Sequence, residues 1–228
     1  LRLENTNGEV FAGSTPERGI TAAQLAACKT FNEATVSTGF GDVDMEAEGR
    51  AFYETRGKAD EGMPGVFDEV TLGEVHQIGN LLSVLMRDTI YLGGPHPSNA
   101  LHAWNFDLRK GEFTDLMSLT DRPRELALTI ACEIAAQING SDMYEGFYED
   151  WYDRLLEKES FEACFDEKSI LVWFQEYDLG PHAVGVPVFE IPYGTISRFL
   201  NAYGEQLLDL PVEARVIGDF HEAQALWS

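Results

Sequence analysis

Two short segments of this 228-residue chain place a histidine behind a Gly-Pro pair: Gly93-Gly94-Pro95-His96-Pro97 and Gly180-Pro181-His182. An imidazole presented by a proline-stiffened loop is suited to hydrogen bonding, proton transfer or metal ligation. Binding residues tend to sit on loops held by a rigid scaffold. The chain has five histidines, at 76, 96, 102, 182 and 221. If the two loops lie side by side, His96, His102 and His182 with Asp107 or Asp178 offer a donor set for zinc, and the chemistry would be metal-assisted hydrolysis. The competing reading is architectural: the glycines permit turns and the histidines bond neighbouring strands. Paired carboxylates could serve a glycan hydrolase, but with 39 Asp and Glu residues no single pair stands out. There is no Gly-x-Ser-x-Gly elbow, phosphate-binding Gly loop with Lys, dinucleotide fingerprint or His-Glu-x-x-His motif. Spacing therefore assigns no catalytic residue, no metal ligand set and no cofactor. The candidate ligand-binding residues are Tyr91, His96, Asn99, Asp107, Tyr177 and His182.

Around these loops the pattern is β-rich. Residues 66–76 and 81–92 flank Gly79-Asn80 and read as two long strands joined by a turn. Leu82, Val84, Met86, Asp88, Ile90 and Leu92 give the second strand a strongly apolar face; Ser83, Leu85, Arg87, Thr89 and Tyr91 give a mixed one. That is the signature of an antiparallel sheet covered on one side. A strand over 103–108, a turn at Arg109-Lys110-Gly111 and a return at 112–114 follow the His96 loop. Residues 161–165 and 169–177 read as strands around the turn 166–168, and 186–191 as another ending at Pro192.

Helices frame this centre. The clearest runs from Asp121, expected to cap it, to a stop at Gly140, with Leu126, Ile130, Ile134 and Ile138 as its buried stripe. Further helices are expected over 21–31, from Asp42 or Asp44 through Tyr53, over 143–156 and over 195–208. In the 143–156 helix, Phe147, Trp151 and Leu155 share a face opposite Glu145, Glu149, Asp150 and Asp153, which read as solvated. Residues 1–11 alternate weakly, as a strand would, and the tail after Pro211 has no clear place. Asn139-Gly140-Ser141 matches a glycosylation sequon that helix capping explains equally well.

The formal charge of −23 argues against nucleic acid, whose binding depends on neutralising phosphates, and against an anionic membrane surface. It favours cations or basic proteins, drawn in by long-range steering. Generic acidity is the plainer alternative. Apolar residues at 44% suffice for a core. Cys28, Cys132 and Cys164 match no metal spacing, and Cys132 reads as a buried thiol in a helix. No run approaches the ~18 apolar residues of a membrane span, and no signal peptide pattern is present.

The motifs Tyr91-Leu92-Gly93-Gly94-Pro95-His96-Pro97-Ser98-Asn99 and Asn105-Phe106-Asp107-Leu108 resemble those of a bacterial family of extracytoplasmic domains with no general assigned activity. That family shows a Tyr-x-Gly-Gly-Ala-His-Pro-Asn-like loop, then an Asn-Phe-Asp-Leu strand. Its C-terminal signature is similar to Val172-Trp173-Phe174-Gln175-Glu176-Tyr177 through Gly185 and Val188-Phe189-Glu190-Ile191-Pro192-Tyr193. The resemblance covers roughly residues 70–200. It departs at Pro95, commonly Ala, and at His182, commonly Tyr. Members form the sensing domain of a lysozyme-responsive anti-sigma factor and occur beside a peptidoglycan deacetylase domain. The resemblance implies an α+β fold and a place outside the cytoplasmic membrane; it does not imply catalysis, which a separate deacetylase domain carries where chemistry is known.

The expected fold is thus α+β, with helices packed on one face of antiparallel sheet. Residues 1–90 and 91–228 form two subdomains or one compact unit. The expected function is a non-enzymatic secreted or cell-surface binding domain for a basic, lysozyme-like protein or a cell-wall fragment. A metal-dependent wall-glycan hydrolase and a structural spacer remain the alternatives.

Overall fold

The computed structural model describes residues 26, 29–31, 44–56, 65–140 and 146–215. The expected strand over 1–11, most of the expected helix over 21–31, Asp42, Cys28, His221 and the tail beyond 215 lie outside the described residues. The fold is α+β, built on two antiparallel sheets. The first contains β1 (Phe67–Ile78), β2 (Leu81–Tyr91), β3 (Ser98–Asp107) and β4 (Glu112–Thr114) in sequence order. The second contains β5 (Ala163–Phe165), β6 (Ser169–Trp173) and β7 (Val188–Pro192). Alternation and the Gly79-Asn80 turn make the β1–β2 hairpin, with Ile78 opposite Leu81. Residue 90 lies in β2, which pairs with β3 over ten residues, so the position of the expected division falls inside one sheet.

The layers follow from which side chains need burial. On the outer face of the first sheet, Leu82, Val84, Met86 and Phe106 pack around Phe31. Its mixed face is not left to solvent. The second sheet covers it, with Leu101 against Cys164 and Trp173, and Leu85 and Ala103 alongside. The polar residues of that face form the joint: Ser83 Oγ donates to Asn105 Oδ1 (2.6 Å) and accepts from Phe165 N (2.8 Å), while Asn105 Nδ2 donates to Ala163 O (2.7 Å). Ser83 and Asn105 are buried, and full pairing is what makes such burial tolerable. The expectation of a sheet covered on one side is corrected by this contact.

Helix α2 (Pro123–Asn139) closes the far side of the second sheet. Its Leu126, Ile130, Ile134 and Ile138 share one core with Ile170, Val172, Phe189 and Ile191, each such side chain stabilising by about 1.5–3 kcal/mol. Arg122, not Asp121, occupies the N-cap, and Gly140 is the C-cap. Cys132 lies off the stripe and is exposed, contrary to expectation, whereas Cys164 is buried. Helix α1 (Met45–Arg56) begins behind Asp44, whose Oδ1 accepts from Ala47 N (3.0 Å).

Two expected helices are shorter. Of the one expected over 143–156, residues 143–145 lie outside the described residues; Gly146 takes φ 105, which is not helical, and the described helix is α3 (Trp151–Leu156). Phe147, Trp151 and Leu155 still face the core. The terminal helix splits into α4 (Tyr193–Ile196) and α5 (Ala202–Leu208). Asn201 starts α5 afresh by accepting from Gly204 N (2.9 Å), and Leu200 bridges Thr120 in extended backbone.

Candidate functional site

Two loops lie at one end of the paired sheets. The first, residues 93–97, joins β2 to β3. Gly93 has φ 87, and a Cβ there would lie 2.3 Å from the Phe52 ring of α1. Both the angle and the packing therefore require glycine. The second, residues 174–187, joins β6 to β7. It is tied down by Phe174 N to Pro187 O (3.2 Å), Gln175 N to Asp178 Oδ2 (3.2 Å) and Tyr148 N to Leu179 O (2.8 Å). A 3-10 turn at His182–Val184 orients the imidazole.

The loops converge. The rings of His96 and His182 stack with centroids 3.4 Å apart and planes 10° from parallel. His96 Nδ1 lies 3.1 Å from Pro97 O, and His182 Nδ1 lies 3.1 Å from Glu176 Oε2. Both partners can only accept, so both Nδ1 atoms carry hydrogen, and in the neutral form of each ring Nε2 is the acceptor. Glu176 is the hinge between the loops. Its side chain is 5% exposed, and its Oε1 accepts from Asn99 Nδ2 (2.9 Å). Asn99 is held in turn by Thr89 Oγ1 (3.1 Å to Oδ1).

Beneath this junction, Gln175 acts as a surrogate strand for the edge of β3. Its Oε1 accepts from Leu101 N (3.1 Å) and its Nε2 donates to Leu101 O (2.7 Å). Trp173 Nε1 donates to the same carbonyl (3.0 Å). Beside the junction opens a small polar cleft of about 120 Å³, lined by Arg87, Asn99 and Glu176 with Ala100, Leu101, Gly185 and Val186.

Four of the six candidate residues meet around this junction. His96, Asn99 and His182 are bonded or stacked within it, and Tyr177 stands at its rim. Tyr177 is 50% exposed, its ring centroid 6.2 Å from that of His182, on backbone with φ 70. Such backbone in a residue that is not glycine is uncommon and marks a position its surroundings hold. Tyr91 is buried beside Phe67, ring centroids 5.8 Å apart. Asp107 lies at the opposite end of β3, where its Oδ1 caps the β3–β4 turn by accepting from Arg109 N (2.8 Å) and Lys110 N (3.2 Å).

The three-imidazole cluster does not form. Alternation along β3 sends His102 to the opposite sheet face, where its Nε2 lies 3.5 Å from Asp88 Oδ2. Asp178 pairs with Lys158 (3.3 Å). Among the described residues no group of three or more His, Cys, Asp or Glu side chains is placed to hold a metal ion. Glu176, with both oxygens engaged, is anchored rather than poised as a free base. Motif reading missed Glu176, Arg87 and Gln175. The available signal was a charged and an amide residue directly after the apolar run 170–174.

Residues 130–194 match the family model described as a protein of unknown function, DUF3298. That span runs from within α2 to the start of α4 and includes Glu176 and His182. No curated protein matches. A DUF3298-family protein of Bacteroides fragilis has a similar structure, with a TM-score of 0.50 and 20% identity over 81% of this chain and 71% of its own. A DUF3298-family protein of Pseudomonas aeruginosa gives a TM-score of 0.48 and 16% identity over 68% of this chain and 77% of its own. The likeness to the Bacteroides protein is one of fold. The matched segment contains one of the two converging loops, and the other lies before it in the chain. No helix of the described residues is long and apolar enough to cross a membrane.

Proposed function

We propose that this chain is a non-catalytic, extracytoplasmic binding domain whose ligand-facing surface is the junction of the two Gly-Pro-His loops. The observation that carries the reading is their convergence. The imidazole stack and the Glu176–Asn99 bond fix two distant loops into one preformed surface, with Tyr177 at its rim. Preformed surfaces of this kind favour recognition, because little ordering is left to be done on binding. The groups within it are bonded to one another, as a scaffold requires, rather than arranged as a nucleophile and its base.

The net charge of −23 gives the sign of the macromolecular partner: a basic, wall-active protein such as a lysozyme. The resemblance to the sensing domain of a lysozyme-responsive anti-sigma factor supports the same choice. The test is titration calorimetry against a c-type lysozyme at low and physiological salt, with an equally basic unrelated protein as control. The expected result is binding that weakens with salt but survives physiological strength, and that the control lacks. Equal, salt-erased binding to both proteins would reduce the charge to generic acidity and refute the reading.

A further inference from the structure

In a chain this acidic, a cation without a partner is conspicuous. Arg87 is exposed and projects from the mixed face of β2 into the cleft beside the loop junction. Among the described residues it forms no ion pair. Glu176 lines the same cleft, yet the two do not close on each other. Asn99 and His182 hold the Glu176 carboxylate from both oxygens, so it cannot swing toward the guanidinium. A fixed negative group and a free positive group therefore share one small space. We infer that this cleft binds the zwitterionic head of an amino acid, its carboxylate on Arg87 and its ammonium on Glu176.

The chemistry of each wall fits. Arginine presents a planar fork that takes a carboxylate through two parallel hydrogen bonds. An ionised carboxylate has about four acceptor positions, and Glu176 uses one on each oxygen, leaving capacity for an ammonium. Gly185 adds no side chain to the lining, and a Cβ there would meet nothing within 4 Å. Leu101 and Val186 supply apolar surface for a short side chain.

Size selects the class. The cleft measures about 120 Å³. Pockets for drug-sized ligands span roughly 300–1,000 Å³. That size suits a small amino acid such as glycine or alanine, or the charged head of a larger one. The inference goes beyond the basic-protein reading and stands independently of it.

The experiment uses the full chain and follows two-dimensional NMR shifts of the Asn99 side-chain amide and the Arg87 Nε–H during titration. The probes are L-alanine, D-alanine, acetate and methylammonium at matched ionic strength. The expected result is saturable movement of both signals by at least one alanine enantiomer, with acetate and methylammonium each binding at least about tenfold more weakly. Arg87→Gln lowers alanine affinity at least about tenfold, and Arg87→Lys, which keeps the charge and loses the fork, gives an intermediate loss. Thermal unfolding of both variants confirms that this exposed position leaves the fold intact. The proposal is overturned if acetate or methylammonium binds as well as alanine, if alanine binding does not saturate, or if Arg87→Gln binds as the native chain does. Lysozyme titrated into Arg87→Gln reads the other proposal separately, because removing a cation from an acidic surface does not weaken a basic partner.

Discussion

Replacing Glu176 with glutamine changes one atom type at the loop junction and has a double consequence. In the native chain both oxygens of Glu176 accept, from Asn99 Nδ2 at 2.9 Å and from His182 Nδ1 at 3.1 Å. Glutamine has one acceptor and one donor end. The orientation that keeps the Asn99 bond turns the amide NH2 toward His182 Nδ1. That nitrogen must then accept, so the imidazole changes from the Nδ1–H to the Nε2–H tautomer. Hydrogen bonds to a charged group contribute about 1.5–3 kcal/mol and neutral ones about 0.5–1.5 kcal/mol. Exchanging two of the first kind for two of the second costs about 2 kcal/mol, partly offset because a buried charge is removed. A net loss of about 1 kcal/mol, at a urea dependence of about 2 kcal/mol per molar, lowers the unfolding midpoint by about 0.5 M. Long-range proton–nitrogen NMR at alkaline pH reads the tautomer directly, and urea unfolding reads the stability. An Nε2–H tautomer of His182 already in the native chain would refute the assignment. An unchanged midpoint with an unchanged tautomer would show that Glu176 does not join the loops.

Two further outcomes follow from buried groups away from the junction. Burial pushes the Asp88 carboxyl above its ordinary value, with His102 pulling it back and Asp68 adding to the rise; its Oδ1 has no hydrogen-bond partner. The folded state therefore holds this proton more tightly than the unfolded state, and stability is lost as pH rises from the unfolded value, about 3.9, through the raised folded one. Asp88→Asn removes the buried charge, so it unfolds at higher urea than the native chain at pH 8, with the gap narrowing toward acid; a variant weaker at pH 8 would mean that pairing with His102 outweighs burial. For the thiols, burial pushes Cys164 up to about 11, whereas Cys132 is exposed. Cys132→Ser should remove one equivalent of fast thiol labelling from the native protein and Cys164→Ser none; the reverse result would invert the orientation of α2.

Much of the fold is legible because it obeys local periodicity. The four-residue repeat from Leu126 to Ile138 predicts both α2 and the face it buries; the expectation of a buried Cys132 is wrong, because that residue lies half a turn off the stripe, where it is exposed. Alternation along residues 81–92 and the Gly79-Asn80 turn predict the β1–β2 hairpin. The misplaced boundaries come from single residues that outweigh propensity. Gly146 interrupts a helical pattern with a backbone angle that is not helical, and Asn201 begins a helix inside what reads as one continuous helix, because its side chain caps Gly204 N.

The site was half legible for a different reason. Gly-Pro-His is visible twice in the sequence, but what joins the two loops is not periodic. The mixed face of β2 and β3 carries Ser83, Arg87, Asn99 and Asn105, a composition that ordinarily means water. Here the second sheet lies against it through side-chain-to-backbone bonds: Ser83 to Phe165 N, Asn105 to Ala163 O, and Gln175 and Trp173 to Leu101. These bonds link residues from 58 to 82 positions apart, so no local window encodes them. Gln175, bound to the edge of β3, fixes where Glu176 falls. Glu176 then reaches Asn99 on one side and His182 on the other, which brings His182 onto His96. The histidines that look like the chemistry in the sequence are thus the last links of a chain of contacts. The residues that set their position, and that leave Arg87 facing an anchored carboxylate, are those a sequence reader assigns to the surface.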